Sequence, residues 1–245
     1  YAALSVDTLG ANSVAVGRAA LANQNFTTAT DTYNTAVGDG AGSSVTTGTH
    51  NTLIGGTAGD ALTSGGSNTV VGRDALSADT LGSRNIAIGE ASLQAQNFTT
   101  ATESYNVAVG YAAGAAITTG YYNTLIGGSA GDSLTDSDFN VAVGYGALAA
   151  DTLGGYNTAV GCYALDAQNF TTATAGYNAA LGYAAGSANT TGRFNTFLGA
   201  NSGVANTSAS YNTSVGYAAL GTNTTGAANT AIGNNALNLN STANN

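Results

Sequence analysis

The sequence is poor in charge, and several residue types are missing from it altogether. Proline, methionine, tryptophan and lysine are absent, only 7% of the 245 residues are charged, and the net charge is −9. Because phosphate binding needs clustered lysine or arginine, this composition argues against a nucleic-acid partner. No apolar run reaches the roughly 18 residues that a membrane-spanning helix requires, so we expect no membrane insertion.

Catalytic chemistry is also poorly provided for. A single cysteine, Cys162, excludes an intrachain disulfide. A single histidine, His50, excludes a histidine-based triad or a multi-histidine metal site within one chain. Acidic residues recur with the repeat, as Asp7, Asp79 and Asp151 do, rather than forming one singular pair. We therefore expect no enzyme activity, no cofactor and no metal.

What the chain has instead is one motif, Asn-x-x-aliphatic-Gly, repeated thirteen times at spacings of 21, 17, 17 and 17 residues. A fixed short period of this kind predicts stacked coils rather than a globule. The motif begins with Ser13 and then with twelve asparagines: Asn34, Asn51, Asn68, Asn85, Asn106, Asn123, Asn140, Asn157, Asn178, Asn195, Asn212 and Asn229. It ends on Gly17, Gly38, Gly55, Gly72, Gly89, Gly110, Gly127, Gly144, Gly161, Gly182, Gly199, Gly216 and Gly233.

Each motif has the features of a short strand, so we predict an all-β fold: a parallel β-solenoid (β-roll) of about thirteen coils of 17 or 21 residues. The asparagines are expected to form a structural ladder from coil to coil. The glycines are expected to supply a positive φ at a corner. The residue before each glycine is never polar and is expected to face inward. This aliphatic column comprises Val16, Val37, Ile54, Val71, Ile88, Val109, Ile126, Val143, Val160, Leu181, Leu198, Val215 and Ile232.

The coils are grouped in fours. We interpret residues 1–245 as one repetitive segment with 72-residue superrepeats at 13–84, 85–156 and 157–228 and partial coils at both ends, a window of a longer fibre. One column reads Leu21, Gly42, Gly59 and Leu76, and this alternation of leucine and glycine recurs with the same 72-residue period. The 21-residue coils carry an identical heptapeptide at 24–30, 96–102 and 168–174. Its phenylalanines are candidate inter-chain contacts or loop filling: Phe26, Phe98 and Phe170.

A threonine column marks the thirteenth position of every complete 17-residue coil, as at Thr118 and Thr135. Threonine in such a position typically bonds turn backbone, although a solvent-facing threonine ladder would suit an ice-binding face. Large apolar side chains are few in each coil, so the core of one chain is thin, which favours apolar faces buried between chains.

These repeats resemble two known groups. Residues 12–17 (Asn-Ser-Val-Ala-Val-Gly) resemble the head repeats of trimeric autotransporter adhesins, and the resemblance implies a left-handed parallel β-roll wound into a trimer. Residues 212–220 (Asn-Thr-Ser-Val-Gly-Tyr-Ala-Ala-Leu) are similar to arrays in phage tail-fibre-like and bacterial surface proteins. Those proteins often end in an intramolecular chaperone domain, which trimerises and cleaves itself off.

The expected function is a structural shaft or spacer of an extracellular, cell-surface or virion fibre or adhesin. Its partner would be itself, as a homotrimer or a filament, and a host-surface receptor or glycan would be reached through parts outside this chain. The alternatives are an antifreeze-like, ice-binding β-solenoid and a self-polymerising extracellular filament subunit. Two observations speak against ice binding: threonine is mixed with aliphatic residues at the second position of the motif, and the 21-residue coils should interrupt a flat lattice. No cluster of exposed aromatic residues marks a glycan pocket in the sequence.

Overall fold

The computed structural model describes residues 2–239 and 241–242. Within that part of the chain every regular element is a β-strand, and the prediction of an all-β parallel solenoid is confirmed. Thirteen strands of three residues, one per coil, form the parallel sheet. They are β2 (Val14–Val16), β4 (Thr35–Val37), β5 (Thr52–Ile54), β6 (Thr69–Val71), β8 (Ile86–Ile88), β10 (Val107–Val109), β11 (Thr124–Ile126), β12 (Val141–Val143), β14 (Thr158–Val160), β16 (Ala179–Leu181), β17 (Thr196–Leu198), β18 (Thr213–Val215) and β19 (Thr230–Ile232).

Each of these strands starts after the first residue of the motif and ends on the residue before the motif glycine. Neighbouring strands pair in register, for example Thr35 with Thr52 in β4 and β5. The register continues across a 21-residue coil, because β8 pairs with β10 through Ile86 and Val107. The four extra residues are therefore looped out without disturbing the sheet.

Short additional strands accompany the 21-residue coils. Three two-residue parallel pairs occur, and each lies where a 21-residue coil follows its predecessor. They are β1 (Gly10–Ala11) with β3 (Thr30–Asp31), β7 (Gly82–Ser83) with β9 (Thr102–Glu103), and β13 (Gly154–Gly155) with β15 (Thr174–Ala175).

The chain divides into two compact units, the first ending at Tyr122 and the second beginning at Asn123. In the first unit, Leu53 fills the space above two glycines: a Cβ placed on Gly42 would lie 2.5 Å from a Leu53 δ-carbon, and one on Gly59 would lie 2.9 Å from the other. In the second unit, Phe197 fills the corresponding space between Gly186 and Gly203. In the column where leucine and glycine alternate, glycine thus lies beside a large middle strand residue such as Leu53 or Phe197.

Candidate functional site

The motif asparagines form a ladder inside each unit. All twelve are at most 2% exposed. Asn140 is representative: its Nδ2 donates to the Gly154 carbonyl at 2.8 Å, and its Oδ1 accepts the backbone N–H of Asn157 at 3.0 Å. Each side chain thus joins two coils and satisfies backbone groups that have no water available to them.

A second asparagine ladder, which the sequence interpretation missed, lies in the last superrepeat. Asn206 Nδ2 donates to Asn189 Oδ1 at 2.8 Å, and Asn223 Nδ2 donates to Asn206 Oδ1 at 3.3 Å. In the first superrepeat, Val45 and Leu62 occupy the positions of Asn189 and Asn206. Aligning the coils column by column would have found this change from an apolar to a polar interior.

The same interior column holds a buried carboxylate in the first two superrepeats. Asp151 Oδ1 accepts the backbone N–H groups of Gly154 and Phe170, both at 3.0 Å, and its Oδ2 accepts Gln168 Nε2 at 2.6 Å. Asp79 makes the equivalent bonds one superrepeat earlier. Burial raises the pKa of both carboxyls, although these hydrogen bonds oppose the shift.

The raised pKa values predict how stability changes with pH. An aspartate whose folded-state pKa lies above its unfolded value stabilises the fold fully below the unfolded pKa, and that contribution is lost as pH rises through the folded value. We therefore expect the melting temperature to fall as the pH is raised from the ordinary aspartate range towards neutrality. The double variant Asp79→Asn/Asp151→Asn should show a shallower dependence in thermal melts at several pH values. An equally steep dependence in the variant would contradict this assignment.

The motif glycines turn the chain at the end of each strand. All thirteen have φ between +125° and +145°. A Cβ on Gly144 would lie 2.6 Å from the carbonyl carbon and oxygen of Gly161 in the next coil. Both the backbone conformation and the close approach of the next coil therefore exclude a larger residue at this corner.

The prediction that the aliphatic column faces inward is wrong. The middle residue of each strand is the inward one, as Ala36 and Leu53 are at 0% exposure, while the aliphatic residue after it points outward. Exposed members of the aliphatic column range from 37% for Val37 to 70% for Ile232. Because side chains alternate along a strand, filling the interior with the middle residue places both of its neighbours on the outer face.

The first strand residues share this outer face, and none of them is buried. We call them the strand-entry column: Val14, Thr35, Thr52, Thr69, Ile86, Val107, Thr124, Val141, Thr158, Ala179, Thr196, Thr213 and Thr230. Each coil thus presents a threonine or an apolar residue beside an aliphatic one.

The heptapeptide phenylalanines lie buried within their own chain, which favours loop filling over inter-chain contact. Phe26, Phe98 and Phe170 are only 7%, 6% and 6% exposed within their own chain. The backbone around them is fixed by hydrogen bonds: Thr152 Oγ1 donates to the Phe170 carbonyl at 3.0 Å, and Phe170 donates its N–H to Asp151. A Cβ on Gly154 would meet both Asp151 Oδ2 and, at 2.7 Å, a Phe170 ring carbon, so the ring lies close to the buried carboxylate.

The threonine column bonds backbone, as threonine in a turn typically does. Thr135 Oγ1 donates to the Thr152 carbonyl at 3.0 Å, and Thr207 Oγ1 donates to the Thr224 carbonyl at 3.0 Å. These hydroxyls connect successive coils, so the column is not a free threonine face.

Exposed aromatic side chains are clustered, contrary to expectation. In the second unit the residues preceding five successive motif asparagines stack ring on ring, with centroids 4.9–5.4 Å apart. We call this the aromatic column: Phe139, Tyr156, Tyr177, Phe194 and Tyr211. All five have a left-handed φ of 51–62°, and the coil-to-coil stacking supports this conformation. In the first unit Tyr105 and Tyr122 stack in the same way at 5.4 Å.

No protein-family model, curated protein or solved structure matches this chain. Among residues 2–239 and 241–242, no helix is long and apolar enough to cross a membrane. In the same part of the chain no three histidine, cysteine, aspartate or glutamate side chains are grouped so that they could hold a metal ion.

Proposed function

We propose that this chain is a structural shaft or spacer of an extracellular, cell-surface or virion fibre, that it has no catalytic role, and that it assembles with copies of itself as a homotrimer. The observation that carries the proposal is the outward aliphatic column. It places a valine, isoleucine or leucine on the outer face of every coil of both units.

Such a regular apolar face suits another copy of the same chain. Contiguous exposed apolar surface marks interaction sites, and closed symmetric assemblies are the commonest way for identical chains to bury it. A partner with the same coil spacing could match the column coil for coil. The resemblance to adhesin head repeats favours three chains around this face.

The mechanical role follows from the coil-to-coil bonding. Backbone pairing, the asparagine ladder and the threonine column each connect one coil to the next within a unit. Stretching or bending a unit would break many of these bonds together. A segment of this kind would hold a recognition domain away from a surface.

Placing charge on the outer face should separate the chains. Leu181 and Leu198 are paired across β16 and β17 and are 49% and 40% exposed. We expect Leu181→Lys/Leu198→Lys to lower the solution mass from that of an oligomer to that of one chain, because six lysines would meet in the trimer without counter-charges. Sedimentation velocity measures the mass, and circular dichroism checks that the variant is folded.

The matched control is Leu239→Lys, which changes a 91%-exposed leucine outside the strands. It should leave the oligomer intact. An unchanged mass for the folded double variant would show that the chains do not meet through this face.

Ice binding stays the second candidate because one argument against it loses force. The sheet register continues through the 21-residue coils within each unit. Threonine also occupies eight of the thirteen positions in the outward strand-entry column. This function requires thermal hysteresis that is lost in Thr196→Lys/Thr213→Lys, and a wild-type protein without hysteresis excludes it.

A further inference from the structure

The second unit contains a surface cavity of about 230 Å³ beside the aromatic column. Asp136, Ser137 and Asp138 line one part of it, and Leu153, Gly155 and Tyr156 line another. Its remaining walls come from β15 and the residue before it. All the lining residues lie in one unit, and the cavity is independent of the outward aliphatic column.

The cavity exists because of a local departure from the repeat. In the preceding superrepeat the position of Gly155 is taken by Ser83, whose Oγ accepts the Gly66 N–H at 3.0 Å. Ser210 does the same for Arg193 N–H at 3.0 Å in a later coil. Gly155 has no side chain to occupy this space.

A second change keeps the cavity open. In the preceding superrepeat Arg84 and Glu103 form an ion pair at 2.9 Å. Tyr156 and Ala175 stand at those two positions here, and these two side chains cannot form an ion pair across the cavity. The wall at Ala175 is instead fixed from outside, because Arg193 Nε donates to its carbonyl at 2.9 Å.

The polar groups of the cavity define what it could hold. The carboxylate oxygens of Asp136 and Asp138 are hydrogen-bond acceptors, so a ligand that donates hydrogen bonds suits this wall. Ser137 is 2% exposed, and its Oγ has no hydrogen-bond partner among the described residues. A buried hydroxyl left unpaired costs about 1–3 kcal/mol, so it would gain from a ligand that reaches it. An anion is disfavoured by both carboxylates.

We propose that the cavity binds one neutral pyranose ring of a saccharide. A sugar offers several hydroxyl donors to the two carboxylates and both a donor and an acceptor to Ser137. Its apolar C–H surface fits against Leu153 and the alanines of the wall, in a cavity with few convergent polar groups among apolar ones. Tyr156 contributes its ring edge and hydroxyl, because its two faces are stacked against Phe139 and Tyr177.

Other donors fit less well. A metal ion would leave most of the volume and the apolar wall unused. A second copy of this chain has no lysine to offer, and three of its four arginines are held in ion pairs at Arg18, Arg73 and Arg84. The fourth, Arg193, bonds Ala175 and lies over Phe194.

The test is saturation-transfer NMR of the full chain with glucose, galactose, mannose and N-acetylglucosamine, each at millimolar concentration. We expect at least one to bind, and Gly155→Ser to weaken that binding by about tenfold or more by refilling the space that Ser83 occupies elsewhere. Asp136→Ala/Asp138→Ala should weaken it similarly without adding bulk.

The matched control is Gly66→Ser, in the first unit. A Cβ on Gly66 lies 2.9 Å from the Thr49 carbonyl oxygen, just as one on Gly155 lies 2.9 Å from that of Asp138. This variant should bind sugar as the wild type does, with melting curves confirming that all variants fold. The proposal is overturned if no sugar binds, if binding survives in folded Gly155→Ser, or if calcium chloride or free lysine binds there and sugars do not.

Discussion

Replacing Asn140 by alanine should lower the free energy of unfolding by about 3–5 kcal/mol, since it strands buried donors and acceptors that each cost about 1–3 kcal/mol. The Gly154 carbonyl loses its side-chain donor, and the Asn157 N–H loses its acceptor. Water cannot replace either partner easily, because Asn140 is fully buried. Urea-induced unfolding, followed by circular dichroism, measures the change.

The control for this variant is Asn234→Ala, which removes an exposed asparagine from a turn. Its effect should be within about 0.5 kcal/mol of zero, as for most surface substitutions. If Asn140→Ala were equally harmless, the ladder would not be a source of stability and the stiffness attributed to it would lose its basis.

Replacing Phe197 by alanine should cost about 3–5 kcal/mol, the usual range for emptying a buried aromatic position. The opposite change, Gly203→Leu, adds a large side chain to the same space and should also destabilise the fold, by about 1–3 kcal/mol through overpacking. A Cβ on Gly203 would lie 2.3 Å from a Phe197 ring carbon. The two changes are therefore complementary.

The double variant Phe197→Ala/Gly203→Leu should recover most of the loss. It recreates the pairing of a small strand residue with leucine that other coils use, as with Ala159 and Leu165. Leucine tolerates the backbone there, because Gly203 has φ +59° and Leu165 has φ +50°. A double-mutant cycle in urea measures the coupling. If the losses of unfolding free energy in the two single variants simply added, the alternation of leucine and glycine would not reflect core packing.

The period of the motif was enough to predict the architecture. Each coil carries one motif, and every motif ends on glycine, from Gly17 to Gly233. This regularity leaves few alternatives to a parallel solenoid, and the strands do lie within the motif. The orientation of the strand was not predictable from hydrophobicity alone. Both Ala36 and Val37 are apolar, and the more hydrophobic of the two is the one that points outward. An exposed apolar column looks like a core column in sequence.

The cavity and the aromatic column were missed for a different reason. The column at Tyr156 also contains His50, Ser67 and Arg84, so its sequence variability hides the aromatic run of the later coils. Only the structure places the rings of the later coils 4.9–5.4 Å apart. Likewise, the sequence does not show that the missing side chain at Gly155 leaves a cavity. The cavity appears only when Asp138 of the neighbouring coil is placed beside Gly155. Equivalent residues of adjacent coils lie 17 or 21 positions apart in the sequence, so a local sequence pattern does not show their contacts.

The most direct test of the proposed self-association is the mass of the wild-type chain in solution, by sedimentation equilibrium over a range of concentrations. The proposal predicts a closed assembly of three times the 23.8 kDa chain mass, with no further growth at high concentration. Open-ended polymers would favour a filament subunit instead. A chain that remains at 23.8 kDa at every concentration would contradict assembly through the aliphatic column.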